Sequence, residues 1–145
     1  MLAAGLAAMS LSGCGDAAAN GGKEKVRLMV WSPSEDQSKD SGEWLQTNCE
    51  AFAEEHPQWD ITFVYGVADE ASAAGQVAQD PEASADVFMF ANDTLTTLTD
   101  ADGLTKFGGK YREEIESENS QQVLDSLTMD GELYGVPFTT NTWFM

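Results

Sequence analysis

Positive charge is scarce in this sequence. Seven Lys plus Arg stand against 25 Asp plus Glu, a formal net charge of -18, so a phosphate backbone or an anionic lipid surface would be repelled and nucleic acid is excluded as a partner. Histidine occurs once, as His56, which excludes a His-based metal cluster and a His-centred catalytic dyad. The sequence carries no Gly-x-Ser-x-Gly, no Gly-rich phosphate loop and no cysteine pair at zinc spacing. Asp100-Ala101-Asp102-Gly103 has the start of a calcium loop without its remaining ligands or closing Glu. No motif supports catalysis, and no cofactor or metal is implied. Long apolar runs are missing too: Leu2–Leu11 (LAAGLAAMSL) is too short to span a bilayer.

What is present is a globular composition. Hydrophobic residues make up 42% of the 145 residues and are interleaved with the acidic ones, unlike a disordered acidic tail. The apolar leader runs into Leu11-Ser12-Gly13-Cys14, the pattern of a lipobox. It predicts a signal peptide over 1–13 and a lipid on Cys14, followed by a flexible Ala/Gly tether over 14–25. The domain would then sit on the extracellular face of the cell membrane, held there through that lipid. A signal peptide opens with basic residues, whereas the first one here is Lys23, so the recorded start is read as internal. The other cysteine, Cys49, lies at helical spacing with Leu45, Phe52 and His56 and is read as a buried, inert thiol.

Apolar patterning then orders the chain. VRLMVW (26–31) predicts a strand, and the stripe Leu45, Cys49, Phe52 predicts an amphipathic helix over Glu43–His56 that Pro57 stops. ITFVY (61–65) predicts a second strand, Glu70–Gln79 a helix, and DVFMF (86–90) a third strand. Continuous apolar strands alternating with helices indicate an α/β fold with a largely parallel sheet covered by helices. Beyond it, Thr94–Ala101 predicts a helix capped by Asn92 or Asp93 and stopped by a left-handed Gly103. One or two helices are expected within Tyr111–Leu127, and Asp130-Gly131 marks a tight hairpin.

In such sheets ligands gather beyond the carboxyl ends of the strands. A sugar needs carboxylates or amides for its hydroxyls beside an aromatic ring for its C–H face. Glu35 and Asp36 follow the first strand, Asn92 and Asp93 follow the third, and Trp31 and Phe90 end those strands. Each also has a plainer reading: Asp93 as a helix cap, Trp31 and Phe90 as core, Glu35 and Asp36 as a solvated loop.

Three segments, VRLMVWSPSED, ADVFMFANDTLTTLTDADGL and MDGELYGVPFTTNTWFM, resemble the extracellular solute-binding proteins of family 1, the maltose and maltodextrin-binding group. The resemblance covers about 26–145. It implies a periplasmic-binding-protein-like N-terminal lobe over 26–138, with 139–145 starting a strand that crosses to a second lobe missing from this chain. It also implies an ABC importer permease as partner and binding without chemistry. By position it puts Glu35, Asp36, Phe90 and Asp93 at the sugar. Asn141 stands where a maltose binder has Glu, a departure that weakens a claim to maltose; the ligand implied is a mono- or oligosaccharide, with maltose and maltodextrin among the candidates. Two alternatives from other classes stand beside this one: a secreted carbohydrate-active enzyme, which would need two carboxylates facing across a sugar, and a lipid-anchored adhesion module.

Overall fold

The structure is a computed structural model that describes residues 22–139; Cys14, Asn141 and the leader lie outside the described residues. Strand β1 (Glu24–Ser32), helix α1 (Trp44–Glu55), strand β2 (Trp59–Val67), helix α2 (Glu70–Gln79) and strand β3 (Val87–Phe88) follow in order. Helices α3 (Leu95–Asp100), α4 (Gly109–Glu118) and α5 (Gln121–Asp125) come next, then strands β4 (Thr128–Met129) and β5 (Glu132–Leu133). The sheet order is β2-β1-β3 and both pairings are parallel, so all three strands end at the same edge.

Alternation along the strands sends apolar side chains to both faces of this sheet. Leu28 and Val30 of β1, with Phe63 and Tyr65 of β2, pack against Leu45 and Cys49 of α1. Trp31 points to the other face and joins Ala74 and Val77 of α2, Leu98 of α3, Phe88 and Leu104. Burying such rows on both faces is the main driving force for a layered α/β arrangement, at about 25 cal/mol for each Å² of apolar surface removed from water. A third cluster, Ile115, Leu124, Leu127 and Leu133, holds α4, α5 and the hairpin together, and Phe90 packs against both it and the α2–α3 cluster.

Several local expectations are corrected. Strand β3 pairs only over Val87–Phe88, because Met89 and Phe90 leave the ladder. The Asp86 carboxylate instead accepts the Met29 N–H at 2.7 Å, while the Asp86 N–H donates to the Met29 carbonyl at 2.9 Å. Phe52, expected on the buried stripe of α1, is 40% exposed. It lies near the helix end and stacks on His56, centroids 4.2 Å apart, and His56 stacks in turn on Trp59 at 5.1 Å. The residue that stops α3 in a left-handed conformation is Asp102 (φ 54), not Gly103. The Asp102 N–H donates to the Thr99 carbonyl and the Gly103 N–H to Leu98, so Gly103 occupies the position after the left-handed one. Glycine is needed there for close approach, since a Cβ would lie 2.7 Å from Val77 Cγ1. At the hairpin both Asp130 (φ 51) and Gly131 (φ 80) are left-handed, as the two-residue turn requires.

Candidate functional site

The loops that leave the common edge of the sheet are fastened in different ways. After β1 the chain makes a short 3-10 turn over Ser34–Gln37. Gln37 folds back, and its side-chain amide donates to the Gly66 carbonyl at 2.8 Å and to the Ser32 carbonyl and hydroxyl at 3.2 and 3.3 Å. Ser32 is fully buried, so this loop is fastened to the ends of both β1 and β2. It presents Glu35 exposed and Asp36 half-buried. After β2, the Asp69 carboxylate accepts the Ser72 N–H at 2.7 Å and caps α2, and this bond holds its pKa below the ordinary carboxylate value.

After β3 the chain turns through Asn92–Thr94 in a 3-10 turn before α3 begins. The expected cap is not formed by Asn92 or Asp93. The Thr94 hydroxyl donates back to the Ala91 carbonyl at 2.6 Å, and Ala91 and Thr94 occupy the capping positions. Asn92 and Asp93 are exposed instead, and they line a groove of about 1240 Å³ together with Phe90. The extended run Tyr134–Thr139 lines it as well. Its lining combines apolar residues in and around β3, Ala85, Val87, Phe88 and Met89, with the polar Asn92 and Asp93. Such a mixture of apolar surface with few polar groups is what a polyhydroxylated ligand requires.

The structure therefore brings Phe90, Asn92 and Asp93 together, while Trp31, Glu35 and Asp36 do not line this groove. Trp31 is spoken for by the fold. Its indole lies across Gly66, where a Cβ would come 2.3 Å from Cδ1 and 2.5 Å from Nε1, and it packs against the α2–α3 cluster. Sequence reasoning missed Gln37, whose role depends on which strands are neighbours, and also Trp44 and Phe138, whose rings meet with centroids 5.4 Å apart. One signal for Trp44 was available: it falls off the Leu45–Cys49 stripe. Cys49 is free and buried, and burial pushes its thiol pKa up despite the Tyr65 hydroxyl beside it. Burial first, then Cys49, pushes Tyr65 up to about 12. Among the described residues no group of His, Cys, Asp or Glu is placed to hold a metal ion, and no helix is long and apolar enough to cross a membrane.

A parallel sheet wrapped on both faces, with an open groove at its carboxyl edge, defines a periplasmic-binding-protein-like lobe. Residues 47–145 match the family of bacterial extracellular solute-binding proteins, and this chain belongs to that family. A solved structure described as being with acarbose is 45% identical, with a TM-score of 0.79 over 85% of this chain and 32% of its own. The maltodextrin binding protein MalE1 from L. casei BL23, without ligand, is 20% identical, with a TM-score of 0.65 over 77% of this chain and 29% of its own. CpMnBP1 with mannotriose bound is 17% identical, with a TM-score of 0.56 over 77% of this chain and 28% of its own. This chain thus spans about a third of the length of the structures it resembles. No curated protein matches it.

Proposed function

We propose that this chain is the first lobe of an extracellular receptor that binds an oligosaccharide between two lobes and hands it, chemically unchanged, to the permease of an ABC importer. The observation that carries the reading is the exposed Asn92–Asp93 pair beside Phe90, on a groove at the carboxyl edge of a parallel sheet. Ligands of the relatives supply the chemistry: acarbose and mannotriose occupy two of them. A carboxylate and an amide on adjacent residues suit neighbouring hydroxyls of a pyranose, and closure of the second lobe would exclude water from those bonds. Receptor function follows if ligand stabilises the closed form over the open one, since only a differential affinity shifts that equilibrium. The lipid on Cys14 would keep the receptor beside its permease.

Titration calorimetry of the full-length protein with maltotriose, acarbose and mannotriose tests the reading. Saturable binding of at least one, with the sugar recovered intact by chromatography, is expected. Cleaved product would favour the enzyme class, and heat of dilution alone with all three would remove the receptor reading. Substituting Cys14→Ala should move the protein from the membrane fraction to the medium.

A further inference from the structure

Stacking a sugar needs an aromatic ring with a face left open at the ligand edge, and the rings first considered do not offer one. Trp31 is covered by Gly66 and the α2–α3 cluster. Phe90 joins two apolar clusters, and the chain passes over it at Gly135, where a Cβ would lie 3.3 Å from Phe90 Cζ. Among the exposed rings, Phe52 stacks on His56 at the end of α1 away from this edge. Tyr111, on α4, sits under the Lys110 ammonium at 4.8 Å.

Trp44 and Phe138 remain. Trp44 is the first residue of α1, reached directly from the loop that follows β1, and is 38% exposed. Phe138 is 61% exposed and lines the same groove as Asn92 and Asp93; Trp44 does not line that groove itself but packs on Phe138. Their centroids lie 5.4 Å apart and their planes are inclined at 53°, so the rings meet without stacking face to face. The backbone is bent to put Trp44 there: Gly42 (φ 74) and Glu43 (φ 51) are consecutive left-handed residues, and glutamate adopts that conformation only against resistance.

We infer that Trp44 and Phe138 form the stacking corner of the binding site, receiving the C–H face of one pyranose ring of an oligosaccharide whose hydroxyls reach Asn92 and Asp93. This rests on the sugar-binding reading above. It divides the labour of the site: the amide and carboxylate select hydroxyl positions, while the two rings supply sequence-tolerant apolar contact.

The test uses the full-length protein and its Trp44→Leu, Trp44→Tyr and Phe138→Leu variants, titrated with maltotriose and mannotriose. Each Leu variant should weaken the trisaccharide that the wild type binds by about tenfold or more, while Trp44→Tyr, which keeps a ring, stays within about threefold. Thermal melts should stay close to wild type, since both side chains are partly exposed. Ligand-induced change in tryptophan emission should shrink in Trp44→Tyr. Wild-type affinity in both Leu variants overturns the corner and leaves the receptor reading intact. So does an equal loss in Trp44→Leu and Trp44→Tyr, which would mark a structural role. Absence of binding by the wild type to both trisaccharides and to acarbose sinks both together.

Discussion

At the end of the sheet where β2 begins, Phe52, His56 and Trp59 stack in a column, and the His56 ring Nδ1 lies 2.9 Å from the Phe52 carbonyl. At the end where the strands finish, Trp44 and Phe138 meet at an angle and keep much of their surface in water. Both ends carry aromatic rings at the terminus of the same helix, α1. One set satisfies itself by parallel stacking; the other keeps apolar surface in water, and its Phe138 lines the same groove as the exposed Asn92 and Asp93. On the proposal above, the first end serves stability and the second recognition.

The broadest challenge to this contrast is to weaken the layer that both ends share. Leu98 is completely buried between α2, α3 and the sheet, and Leu98→Ala should cost about 3 kcal/mol in urea unfolding. Gly66→Ala should cost about 2 kcal/mol by forcing Trp31 off its seat. Because Gly66 also receives the Gln37 amide, this change should impair sugar binding as well as stability. A much smaller loss, about 1 kcal/mol, is expected for Phe52→Ala at the self-stacked end. Calorimetry should find its sugar affinity unchanged; a clear loss of affinity there would break the contrast.

The smallest effect concerns the cap of α2. The Asp69 carboxylate has a folded pKa below its unfolded value of about 4, so its contribution is present above that value and lost as pH falls through the lower folded one. The difference in urea midpoint between wild type and Asp69→Asn should therefore narrow on acidification. A gap that widens would reverse the sign of the linkage. The raised thiol pKa of Cys49 gives a control for integrity: alkylation should be negligible in the native protein and rapid in denaturant.

Much of the layer order was legible because burial on both faces leaves an unambiguous mark. The strands at Val26–Trp31 and Ile61–Tyr65 lie inside β1 and β2, and α2 spans Glu70–Gln79 as its spacing indicates. Asp130-Gly131 announced its turn through backbone preference alone. Features set by neighbours distant in sequence were not legible. Asp86 took over a ladder bond beside β3, and Asp102 rather than Gly103 adopted the left-handed turn, with Gly103 lying close against Val77. At the site, adjacency in sequence was enough to group Phe90, Asn92 and Asp93. Pairing Trp44 with Phe138 required knowing that the start of α1 and a segment nearly a hundred residues later converge.

The Gln37 bridge bears on the thermodynamics of capture. A loop that must be frozen when ligand arrives costs about 1–2 kcal/mol of backbone entropy for each residue ordered. Here the segment behind β1 is already bonded to two strand ends through one amide, so that expense falls on folding instead of on recognition. Cutting the bridge with Gln37→Ala should thus appear as a less favourable entropy of sugar binding.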